Sequence, residues 1–87
     1  MDNEKERVPN VARSINSAFD SVNLINGIID GSKLINDDID TKKNTVERNY
    51  KHLELMKKKD WFMSGLTQNQ LQDINDSIQS GKNYISQ

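Results

Sequence analysis

The sequence predicts an all-α protein: a three-helix hairpin or bundle with a long N-terminal heptad helix that associates with other copies. Three observations lead there. Apolar residues from Val8 to Ile29 recur at alternating steps of three and four. Thr67-Gln68-Asn69-Gln70 has the form of a capping box. Two breaker segments, Asp30-Gly31-Ser32 and Ser64-Gly65, fall where helices need to stop.

The first predicted helix covers about residues 9–33, with residues 1–7 frayed. Pro9 fits only a first turn, where its missing N–H costs nothing. Val8, Val11, Ile15, Ala18, Val22, Ile25 and Ile29 then form an unbroken a/d seam, and no strand alternation fits the segment. Ala12 and Phe19 widen the seam on one side and Ile28 on the other. Gly27 and Gly31 each weaken a helix by roughly 1 kcal/mol relative to alanine, so the helix is expected to end between 30 and 36. Leu34, Ile35 and Ile39 need cover beyond that point.

The second predicted helix covers about residues 40–63 and starts near Asp38 to Thr41. Its stripe is Ile39, Val46, Tyr50, Leu53, Met56 and Met63, with Asn49 and Asp60 intruding on the same face. Gly65 is expected to close it in a left-handed cap. The third covers about residues 68–80. Leu66 and Leu71 stand as a hydrophobic staple around its capping box, and Ile74, Ile78 and Ile85 carry its stripe. Gly81 is either its stop or a point of close contact.

Length allows one small domain, residues 1–87. Only 33% of residues are apolar and 29% are charged, so a lone chain buries a modest core. Sharing a seam between copies would enlarge that core. The net charge is −1, which does not point to a nucleic-acid binder. It is uneven, with seven of the bases falling in residues 42–59. Cysteine is absent, so disulfides and thiolate chemistry are excluded. No apolar run exceeds three residues, so no membrane span is expected. "MDNEKERVPN" is charged where the apolar part of a secretion signal would begin.

Four groups of residues could carry chemistry. Asp37, Asp38 and Asp40 lack the spacing of a calcium loop, and they suit the start of a helix, where the dipole favours acids. Lys57, Lys58 and Lys59 suit a helix end for the same reason. With Arg48, Lys51 and Tyr50 they also make a candidate anion-binding surface, Tyr50 or Trp61 stacking on a base. Glu47–Lys51 and Glu54–Lys58 are expected ion pairs at i,i+4. His52 has no second histidine and no marked nucleophile near it, so neither a metal nor a catalytic site is expected there. Trp61, Phe62 and Met63 cannot all face one core. They cover either a neighbouring subunit or the corner of the hairpin. The interface candidates are thus Val8, Val11, Ile15, Ala18, Phe19, Val22, Ile25, Ile29, Trp61, Phe62 and Met63, and no cofactor is implied.

Arg48-Asn49, His52-Leu53-Glu54, Met56 and Lys59-Asp60-Trp61, followed by a polar helix with Ile78, Gly81-Lys82 and Tyr84-Ile85, carry a resemblance. Residues 45–87 resemble small uncharacterised helical proteins encoded by tailed bacteriophages. The resemblance implies a viral origin, with a place in the host cytoplasm or the virion, and no functional residues. The expected function is non-enzymatic assembly through a shared helix seam. The partner is a homo-oligomer or a larger viral or host protein. The alternative is a counter-defence module that sequesters a nucleotide signal or blocks a host effector.

Overall fold

A computed structural model describes residues 9–87. The expected fraying of 1–7 and the seam position Val8 lie outside the described residues. Four helices follow in order: α1 (Val11–Asp30), α2 (Ile39–Lys57), α3 (Asp60–Met63) and α4 (Gln68–Ile85). The described residues contain no strand. Each of α1, α2 and α4 packs on the other two, and α3 closes one end against α1 and α2. The chain is therefore an all-α bundle.

Local chemistry sets most helix ends. Asn10, not Pro9, caps α1: its side chain accepts from the Arg13 N–H at 3.0 Å. Pro9 stands just outside the helix. At the other end Gly31 takes φ +86°, which suits a residue without Cβ. The Ser32 and Gly31 N–H groups then reach back to the Gly27 and Ile28 carbonyls, completing a Schellman motif. Asp38 caps α2 by accepting from the Thr41 N–H at 2.8 Å. The capping box of α4 forms as its four residues predict. The Gln70 N–H donates to Thr67 Oγ1 at 3.1 Å and the Thr67 N–H donates to Gln70 Oε1 at 2.9 Å. Between α1 and α2, Leu34 holds a left-handed φ of 53° while its side chain packs on the core. Such a backbone costs roughly 1–2 kcal/mol for a residue with Cβ.

The core consists of Ala18, Val22, Ile25 and Ile28 from α1, Val46, Tyr50, Leu53 and Met56 from α2, Phe62 from α3, and Ile74 and Ile78 from α4. Val11, Ile15 and Phe19 are half-buried. The strict heptad does not continue to Ile29, which is exposed, whereas Ile28 is buried in its place. A straight helix repeats every 3.6 residues, so a 3.5-residue seam drifts off its partner by about 20° per heptad. In a short bundle without a long supercoil, the buried stripe steps from Ile25 to Ile28.

The second predicted helix is two helices. The chain breaks at Lys58 and Lys59, where Lys59 turns extended. The break re-aims the next three residues. Phe62 becomes fully buried, while Trp61 and Met63 are half-buried and pack on the core. Met63, expected on the inward stripe, gives that place to Phe62. Gly65 does not adopt the expected left-handed cap, since Gly31 is the only described glycine with positive φ. Its smallness serves packing instead: a Cβ there would lie 2.6 Å from Val11 Cγ1. Gly81 does not stop α4. It is a close-contact point, where a Cβ would lie 3.1 Å from Tyr50 Cδ2 and 3.2 Å from Val46 Cγ1. The last helix consequently runs five residues past its expected end at 80, to Ile85.

Candidate functional site

The outward side of α2 carries the candidate anion-binding residues. Arg48, Lys51, Leu55 and Lys58 follow at steps of three and four, and all are exposed. Lys51 pairs with Glu47 at 3.2 Å, as the i,i+4 spacing predicts. The other expected pair does not form. Glu54 instead meets Lys82 of α4 at 2.6 Å. The hydrogen bond and charge of Glu54 raise the Lys82 pKa above its ordinary value. The same ammonium lies 5.9 Å from the centroid of the Tyr50 ring, within reach of a cation–π attraction.

Tyr50 is 7% exposed and belongs to the core, so its ring presents no stacking face. Lys57 is half-buried and its Nζ donates to Asn75 Oδ1. Lys58 ends α2, and Lys59 supplies the extended residue before α3, its carbonyl accepting from the Phe62 and Met63 N–H groups. Of the six residues expected to gather on one surface, Arg48, Lys51 and Lys58 do so. Tyr50, Lys57 and Lys59 are engaged in packing or in the helix break. Trp61 meets Phe62 edge to face, with ring centroids 6.3 Å apart.

His52 is half-buried, and its neighbour in sequence Glu54 is committed to Lys82. No group of three His, Cys, Asp or Glu side chains among the described residues could hold a metal ion. The described residues enclose no pocket. No described helix is long and apolar enough to cross a membrane.

The opposite end of α2 is different in character. Ile29, Ile35 and Ile39 stand 39%, 67% and 53% exposed around the α1–α2 turn. Ile39 shares the inward face of Val46, seven residues on, yet it is not covered by the bundle. Lys43, one turn further along α2, bonds the carbonyl of Gln87. Four exposed carboxylates stand within two positions of these isoleucines in the chain: Asp30, Asp37, Asp38 and Asp40. Hydrogen bonding from Ser32, its side chain foremost and then its backbone N–H, holds the Asp30 carboxyl below its ordinary pKa. The backbone N–H of Thr41 does the same for Asp38.

No family model matches this chain, and neither a curated protein nor a solved structure shows detectable similarity to it. Of the interface candidates of the long seam, those described between Val11 and Ile25 lie against or within the bundle, whereas Ile29 is exposed. Ala18, Val22 and Ile25 are core, and Val11, Ile15 and Phe19 flank it. Of the apolar residues that stay outside, Ile29 was an interface candidate and Ile35 and Ile39 were expected to find cover, whereas Leu55 carried no expectation. Leu55 was legible: it lies two residues past buried Leu53, which turns it to the far side of the helix. Ile39 was not, because its phase along α2 matches that of the core residue Val46.

Proposed function

We propose that this chain is a non-enzymatic interaction protein of the phage type, which works by presenting apolar anchors on a self-sufficient helical bundle. One observation carries the proposal. The core is filled from within the chain, yet four large apolar side chains, Ile29, Ile35, Ile39 and Leu55, remain outside it. Fully burying an exposed side chain of this size returns roughly 1.5–3 kcal/mol, and covering these partly exposed ones returns a share of that in proportion to the area still in water. A partner surface recovers that energy. Ala18, Val22 and Ile25 of the seam expected to bind copies together are core residues of the bundle, which favours docking through the exposed residues instead. The partner is another copy or a larger viral or host protein, met in the host cytoplasm or on the virion. The counter-defence alternative loses one of its two stacking rings with the burial of Tyr50.

Light scattering across a concentration series tests the proposal. A mass above that of one chain at high micromolar concentration, reduced by Ile35→Ser, is the expected result. A strictly monomeric chain counts against homo-assembly. If Ile35→Ser leaves the assembled mass unchanged, these anchors are not what binds.

A further inference from the structure

The four large apolar side chains exposed among the described residues sort into two patches of opposite local charge. Ile29, Ile35 and Ile39 sit among Asp30, Asp37, Asp38 and Asp40. Lys43 of that end bonds the Gln87 carbonyl, and the Lys33 charge lies close enough to act on Asp30, which leaves Asp37, Asp38 and Asp40 as the carboxylates that give the patch its negative character. Leu55 sits in a row with Arg48, Lys51 and Lys58. The one acid on that side nearest the leucine, Glu54, is tied to Lys82.

Both patches ride on the same rigid element. Ile39 and Leu55 are sixteen residues apart on α2, or about 24 Å along its axis. At 3.6 residues per turn they also point about 160° apart around it. One molecule therefore cannot fold its acidic patch onto its own basic one. A second copy can supply the missing half.

We infer that copies of this chain dock head to tail, the acidic isoleucine end of one seated on the Leu55 face of α2 in the next. This rests on the interaction reading above and names its partner. Ile35 and Ile39 meet Leu55, while Asp37 and Asp40 meet Arg48 and Lys58, Lys51 being paired with Glu47 within its own chain. Because two different patches join, each contact leaves one of each kind free at the ends. Such heterologous contacts propagate into a chain or close into a ring, rather than stopping at a symmetric pair. Partly exposed charge pairs of this kind weaken as salt rises.

Two variants separate the outcomes. Ile35→Asp combined with Ile39→Asp disables the first patch, and Leu55→Asp disables the second. All three substituted positions are exposed, and circular dichroism confirms that the bundle is kept. The wild-type chain is expected to gain mass with concentration and to lose it at molar salt. Each variant alone is expected to stay monomeric. Mixed, they retain one intact patch each and form a 1:1 complex of about twice the monomer mass, with no larger species. If Leu55→Asp still associates like the wild type, the head-to-tail contact is overturned while the isoleucine anchors survive as the docking site. If the wild type stays monomeric at low salt and high micromolar concentration, the inference and the homo-assembly reading fall together. Arg48→Glu with Lys58→Glu provides an independent arm: it is expected to abolish self-association yet leave the bundle folded, and unchanged self-association overturns the proposed charge pairing.

Discussion

The two ends of the bundle are built from similar material and treat it in opposite ways. At one end Lys58–Leu66 carries Trp61, Phe62 and Met63. At the other Gly31–Ile39 carries Leu34, Ile35 and Ile39. The first end breaks its helix and swings Phe62 fully into the core. The second completes both helices with good caps and leaves two isoleucines in water. Their glycines differ in the same sense. Gly65 is demanded by space, with Val11 pressed against it, whereas Gly31 has nothing within 4 Å of a would-be Cβ and is demanded by its φ of +86°. A turn buries its bulky residues only where the backbone gives up regular structure to aim them. Where capping dictates the path, side chains go where the caps leave them.

The contrast can be broken most sharply at Phe62. Phe62→Ala is expected to cost about 3–5 kcal/mol, the range for emptying a fully buried aromatic site. Chemical denaturation measures it, and a loss under 1 kcal/mol would mean that α3 does not hold the core. Next comes Gly65→Ala, expected to cost about 1–3 kcal/mol through overpacking against Val11. Adding Val11→Ala should return part of that loss. Gly31→Ala has no clash to relieve and should cost about 1–2 kcal/mol through its backbone alone, so no neighbouring truncation rescues it. Removing the hydroxyl in Thr67→Ala takes away half of the capping box and is expected to cost about 1 kcal/mol, read as a lower melting temperature.

Acid exposes the capped end specifically. The Asp30 and Asp38 carboxyls titrate below their ordinary value of 3.8 in the folded chain. A depressed folded pKa means that their contribution is complete above the unfolded value. It fades as pH falls from about 4 through the lower folded value. Asp38→Asn keeps an oxygen to accept from Thr41 but cannot titrate. Its stability should therefore fall less than that of the wild type below pH 4 in paired melts. Smallest of all should be the effect of Ile35→Ser on folding, within about 0.5 kcal/mol, because the residue is mostly in water. A larger loss would place Ile35 in the core and erase the difference between the two ends.

What could be read from the residues alone follows the range of the interactions. The capping box at Thr67 forms within a few positions and its sequence signature was sufficient, whereas the signatures around Gly31 and Asp38 bounded the helix ends only to within a few residues. The break at Lys58–Lys59 has no proline or glycine to announce it. It exists because Phe62 gains more by facing α1 and α2 than the helix gains by continuing. Gly81 reads locally as a breaker, yet the approach of Tyr50 and Val46 makes it part of a helix. The basic row on α2 was legible in part: Arg48, Lys51 and Lys58 share the outward side, whereas Tyr50, Lys57 and Lys59 do not join them. The pairing of Glu54 with Lys82 and the burial of Tyr50 depend on α4 lying alongside, which no local pattern encodes.

The edge-to-face contact of Trp61 with Phe62 makes this corner of the molecule visible on its own. Trp61 is the single indole of the chain, and it sits on the four-residue helix rather than on any of the long ones. Its ultraviolet emission therefore reports the seating of that corner, while far-ultraviolet ellipticity is dominated by the three long helices. Followed together through a denaturant ramp, the two signals distinguish a local detachment from the melting of the whole, without any added label.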